Sequence, residues 1–120
     1  MGKKILVIDD SATVRQQVRA ALEQVGFEVE EAVDGQDGVD KIGTGESYSA
    51  AICDVNMPRM TGLELLETIA GKGCKLPVIM LTTEGQPTLI QRAKEAGAKG
   101  WIVKPFKANL LVSAIQKLTA

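Results

Sequence analysis

Ile5-Leu6-Val7-Ile8-Asp9-Asp10 is an apolar run of residues 5–8 that closes on two adjacent carboxylates. A strand that is apolar at every position is built for burial on both faces, as in a parallel sheet covered by helices on each side. Three further segments have the same form. Ala50-Ala51-Ile52-Cys53 is followed by Asp54, Val78-Ile79-Met80-Leu81 by Thr82-Thr83, and Trp101-Ile102-Val103 by Lys104-Pro105. Residues 27–32 supply a fifth strand.

Between the strands the apolar spacing becomes helical. Val14, Val18, Ala21, Leu22 and Val25 fall on one helical face, and Gly26 follows as a stop. Thr61-Gly62-Leu63-Glu64 predicts a capping box, with Thr61 taking the Glu64 N–H while Glu64 reaches back. Leu63, Leu66, Ile69 and Ala70 then line one face. Pro87 suits the first turn of the next helix and Gly97 its end. Leu110, Leu111, Ala114, Ile115 and Leu118 make a final amphipathic helix. Residues 36–45, glycine-rich and with only Val39 and Ile42 as clear core residues, predict a short one. This alternation predicts an α/β fold: a single doubly wound (βα)5 domain over residues 1–120, its parallel sheet covered on both faces. In such folds ligands bind beyond the carboxyl ends of the strands, where strand order reverses.

Composition narrows the function. The 120 residues are 45% apolar and 24% charged, and 14 basic against 15 acidic side chains leave a net charge of −1. Without a basic face there is no nucleic-acid footprint. The apolar runs are far too short to span a membrane. The N-terminus lacks the apolar region of a secretory signal, and Leu6 stands where a myristoylation signal needs Ser or Thr. Cys53 and Cys74 form no metal spacing and are expected to be reduced, in a cytoplasmic protein. The absence of histidine excludes a histidine triad, a histidine metal ligand and a phosphohistidine within the chain.

If the strands are parallel and in register, Asp9, Asp10, Asp54, Thr82, Thr83 and Lys104 meet at one edge. Taken singly each has an ordinary explanation: turn acids, helix caps, a solvated lysine. Together they make a site. Three clustered carboxylates repel one another, and a divalent cation relieves that repulsion. Mg²⁺ is hard, prefers oxygen ligands and bridges carboxylates to phosphate. Lys104 adds a second positive charge suited to a phosphoryl group in transfer. Gly43-Thr44-Gly45 lacks the rest of a dinucleotide fingerprint and reads as a loop.

The residues Asp9-Asp10, Asp54-Val55-Asn56-Met57-Pro58-Arg59-Met60-Thr61-Gly62, Leu81-Thr82-Thr83-Glu84 and Lys104-Pro105-Phe106 resemble the receiver domains of two-component response regulators. The likeness runs over essentially the whole chain, in order, and is strongest to the stand-alone chemotaxis regulators. It implies sheet order 2-1-3-4-5. It also implies that Asp54 takes a phosphoryl group from a partner histidine kinase. Asp10 and Asp54 would ligate Mg²⁺ directly, Asp9 through a water, and Asn56 through its backbone carbonyl. Lys104 would contact a phosphoryl oxygen, across a cis Lys104-Pro105 bond. Thr82 and Trp101 would form the switch, and Asn56 and Glu84 would tune the phosphoryl lifetime. The output surface would be helix four, strand five and helix five, read by an effector such as a flagellar motor switch protein. The chain would be a monomeric signalling phosphoacceptor that assists its own phosphorylation and dephosphorylation, not an enzyme. Departures are Trp101 for the commoner Tyr, and Thr83 where a small residue usually sits.

Alternatives within the family are a relay intermediate or phosphate sink, and a receiver fragment of a longer regulator. An aspartyl phosphatase would need a second carboxylate two residues after the nucleophile, where this chain has Asn56.

Overall fold

The computed structural model describes residues 3–44, 47–57, 60–83 and 86–120. Glu84, expected to tune lifetime, lies outside them, as do Pro58, Arg59 and Gly45. The elements alternate as β1 (Lys4–Ile8), α1 (Ala12–Glu23), β2 (Glu28–Ala32), α2 (Gly35–Ile42), β3 (Ala50–Cys53), α3 (Gly62–Gly71), β4 (Val78–Thr82), α4 (Pro87–Glu95), β5 (Gly100–Val103) and α5 (Ala108–Thr119). The strands form one parallel sheet of order β2-β1-β3-β4-β5, as expected.

Side chains alternate across each strand, so the apolar runs feed two cores. Leu6, Ile8, Ala51, Cys53, Val78 and Met80 pack with Val39 of α2, Leu63 and Leu66 of α3 and Ala93 of α4. Ile5, Val7, Ala50, Ile52, Ile79 and Leu81 pack with Val18 and Leu22 of α1 and Leu111 and Ile115 of α5. Strand order reverses between β1 and β3, which is where such folds open a crevice. Register keeps the strand ends level there: Ile8 pairs with both Ala32 and Cys53, Cys53 with Met80, and Thr82 with Val103.

The helix ends follow their local chemistry. Ser11 Oγ accepts the Val14 N–H at 3.3 Å and starts α1. The capping box of α3 is complete: Thr61 Oγ1 accepts the Glu64 N–H at 3.2 Å, and Glu64 Oε1 accepts the Thr61 N–H at 2.9 Å. Pro87 opens α4. Gly26 and Gly97 follow α1 and α4 with φ of +93° and +107°.

Three core expectations are corrected. Val25 lies past the end of α1 and is 46% exposed. The spacing named Leu63, Leu66, Ile69 and Ala70, but Ala70 is exposed and Leu65 is buried. The cause is that α3 packs against α2 as well as the sheet, which widens its apolar arc toward Leu65. Leu110 is 58% exposed, because the first turn of α5 presents Leu111 to the core instead. Both cysteines are free, Cys53 buried and Cys74 half-buried. No helix among the described residues is long and apolar enough to cross a membrane.

Candidate functional site

The residues that follow β1, β3 and β5 are held by an extension of the sheet. The Asp9 N–H donates to the Ala32 carbonyl at 3.1 Å, and the Asp54 N–H to the Ile8 carbonyl at 3.0 Å. The Lys104 N–H donates to the Thr82 carbonyl at 2.8 Å, and the Lys104-Pro105 bond is cis. Backbone pairing thus places four expected site residues before any side-chain contact forms.

One carboxylate oxygen each from Asp9, Asp10 and Asp54 lies within 4.8 Å of the others. Lys104 Nζ stands 2.9 Å from Asp9 Oδ2 and 3.4 Å from Asp54 Oδ2. Asp9 is 2% exposed and Asp54 6%, while Asp10 is exposed. The Ser11 N–H donates to Asp9 Oδ1 at 2.9 Å, and the Asn56 N–H to Asp54 Oδ1 at 3.4 Å. Thr82 is fully buried at the end of β4. Trp101 is half-buried on the α4 side, beside a cavity of about 60 Å³ lined by Ile90, Ala93 and Ala98. Thr83 and Asn56 are exposed. A groove of about 670 Å³ leads from Thr83 and Lys104 past Pro105 and Phe106 to Val14 and Gln17 of α1.

The electrostatics match this crowding. Burial, with help from the Asp54 charge, raises the Asp9 carboxyl above the ordinary carboxylate value, against the Ser11 N–H and Lys104. Burial also pushes the Cys53 thiol far up, so it stays protonated beside Asp54 and is no rival nucleophile. Three carboxylates facing one lysine form an all-oxygen donor set, which fits a hard divalent cation.

A testable consequence concerns the metal-free protein. An aspartate whose native pKa lies above its ordinary 3.8 contributes stability that is full below that pH and is lost as pH rises through the native value. At neutral pH the ionised Asp9 therefore opposes folding. Asp9→Asn is expected to raise the melting temperature at pH 7 in a chelator, followed by circular dichroism. An unchanged or lower value contradicts this account.

Two residues were not legible as site residues. A Cβ on Gly62 would lie 2.2 Å from the Asp54 carbonyl oxygen and 2.7 Å from Met80 Cε. The Gly62 N–H also donates to the Val55 carbonyl at 2.9 Å, so the chain folds back against Asp54 as α3 begins. The sequence motif includes this glycine but gives no sign of what it touches. Arg15 Nη1 donates to the Asp9 carbonyl at 2.6 Å. An arginine on the polar face of a helix reads as a solvated charge, and no pattern distinguishes this one.

The family described as "Response regulator receiver domain" matches residues 5–116. Chemotaxis protein CheY of Pseudomonas aeruginosa is 38% identical over 118 residues, covering 96% of this chain and 94% of the relative. Chemotaxis protein CheY1 of Helicobacter pylori is 35% identical over 116 residues, covering 94% of each. The structure of Vibrio cholerae chemotaxis protein CheY4 superposes with a TM-score of 0.90 at 38% identity, over 98% of this chain and 99% of that one. A CheY-like receiver domain protein of Methanospirillum hungatei gives a TM-score of 0.90 at 32% identity, over 98% and 94%.

Proposed function

The chain belongs to the response regulator receiver family, and from that premise we propose that Asp54 accepts a phosphoryl group from the phosphohistidine of a partner kinase. The observation that carries this reading is the convergence of Asp9, Asp10 and Asp54 with Lys104 at one sheet edge.

An Asp54 oxygen attacks phosphorus as the phosphorus–nitrogen bond to the donor imidazole breaks, and the imidazole leaves with the bonding pair. Lys104, already 3.4 Å from Asp54 Oδ2, offers its ammonium to a phosphoryl oxygen. Asp9, Asp10, Asp54 and the Asn56 backbone carbonyl would hold Mg²⁺. When bound, the ion offsets the carboxylate charge and stabilises charge on the transferring group. Asn56, exposed beside Asp54, and Thr83, exposed in the groove at Lys104, together with Glu84, govern access of the water that later hydrolyses the acyl phosphate.

The new phosphoryl oxygens draw in the Thr82 hydroxyl and shift the packing of Trp101. That biases the surface of α4, β5 and α5 toward a form that an effector prefers, here a chemotaxis partner of the flagellar-switch kind. In this reading residues 1–120 act as one monomeric, cytoplasmic receiver, a phosphoacceptor and not a turnover enzyme.

The test is intact-protein mass spectrometry after incubation with acetyl phosphate. A mass gain of one phosphoryl group is expected with Mg²⁺ and is expected to vanish with excess chelator. No gain with Mg²⁺, or a gain indifferent to the chelator, would overturn the proposal.

A further inference from the structure

Arg15 sits at the junction of α1, β1 and β2. Its Nη1 donates to the backbone carbonyl of Asp9 at 2.6 Å, and its Nε to Glu31 Oε1 at 2.9 Å. Glu31 in turn accepts Arg19 Nε on Oε2 at 2.6 Å, and Arg19 Nη1 reaches Glu23 Oε2 at 3.1 Å. Alternating charges thus run between α1 and Glu31 of β2 and end on the peptide that joins the two acids of the site. The Arg15 side chain is 14% exposed and that of Glu31 27%, so solvent screens this end of the chain less than the Arg19–Glu23 end. Burial alone would raise the Glu31 carboxyl, yet the Arg19 and Arg15 hydrogen bonds bring it below the ordinary value.

We propose that Arg15 is a positioning residue for the acidic site: it fixes the Asp9–Asp10 peptide plane and so aims the Asp10 carboxylate at Asp54. This rests on the metal-binding reading above. Asp9 has its own side-chain anchors in the Ser11 N–H and Lys104. The exposed Asp10 carboxylate depends instead on the backbone that carries it. A guanidinium suits the task because its planar fork holds Glu31 and a carbonyl oxygen at once, whereas an ammonium is a point donor. Groups that orient metal ligands without touching the ion commonly change affinity by about 10–100-fold when removed.

The sign of the effect separates positioning from charge. Arg15 is a cation near a cation site, so deleting its charge alone would tighten metal binding. Deleting a clamp loosens it. Isothermal titration with Mg²⁺, without a phosphodonor, is therefore informative on the wild type, Arg15→Ala, Arg15→Lys and Arg19→Ala, each shown folded by circular dichroism. Arg15→Ala is expected to weaken Mg²⁺ binding about tenfold, and Arg15→Lys to fall between it and the wild type. Arg19→Ala, which loses the same charge but no contact with Asp9, is expected to bind as well as the wild type or better. The carbonyl carbon resonance of Asp9 is expected to move in Arg15→Ala and stay in Arg19→Ala. Should Arg15→Ala not fold, Arg15→Lys carries the same test with the same sign. Mg²⁺ binding by folded Arg15 variants as tight as wild type, or tighter, overturns the clamp and leaves the site reading standing. A wild type that does not bind Mg²⁺ overturns the site reading and the clamp with it.

Discussion

Asp54→Asn is expected to abolish the phosphodonor-dependent change in Trp101 fluorescence while leaving the fold intact. The substitution keeps the shape of a side chain that is 6% exposed, so packing around β3 is preserved. It replaces a nucleophilic carboxylate oxygen with an amide that forms no acyl phosphate. It also removes one of three mutually repelling charges, so the metal-free variant is expected to melt no lower than the wild type. Trp101 is the sole tryptophan, which makes the signal unambiguous. With Mg²⁺ present, a phosphodonor or beryllofluoride is expected to change the emission of the wild type. The variant is expected to show no such change. A wild-type signal that survives intact in Asp54→Asn would mean that Trp101 reports some other event and that the acceptor lies elsewhere.

Gly62→Ala is expected to be the most damaging methyl addition among the described glycines. The new Cβ would meet the Asp54 carbonyl oxygen at 2.2 Å and the Asp54 carbonyl carbon at 3.0 Å, and backbone atoms do not swing aside as a flexible side-chain end does. Retreat in the other direction would break the hydrogen bond from the Gly62 N–H to the Val55 carbonyl. Overpacking of this kind costs about 3 kcal/mol at the upper end of its usual range. For a domain of this size that lowers the melting temperature by roughly 10 °C. Whatever relief the backbone finds moves the Asp54 carbonyl, so phosphorylation by acetyl phosphate is expected to fall as well. A melting temperature within about 2 °C of wild type, less than 1 kcal/mol by the same scaling, would show that the fold-back around Asp54 is more pliant than its geometry implies.

Much of the site was legible because a parallel sheet maps sequence onto space simply. Level strand ends bring the next residue of each strand to one edge, so Asp9, Asp54 and Lys104 could be placed from strand ends alone. Lys104 required no side-chain insight, since its N–H extends the β4–β5 ladder. The helices were less readable. Periodicity gives the middle of a helical face but not its width, which neighbouring helices set: Leu65 is buried and Ala70 is not. Ends misled for a related reason, since Val25 and Leu110 keep the period but leave the packed turns. Arg15 and Gly62 act through backbone carbonyls, and a carbonyl has no letter in a sequence.

The contact between Lys104 and Asp9 joins residues 95 positions apart, from the loops after β5 and β1. During synthesis the acidic pair and Asp54 emerge well before Lys104, and a closure of this length carries a chain-entropy cost that docking of the intervening strands offsets. If Asp54 is the acceptor, as proposed, a nascent or truncated chain holds that carboxylate and is still expected to be chemically mute. Reactivity toward a small phosphodonor then reports completion of the sheet from first strand to last, a stricter criterion of nativeness than helix content.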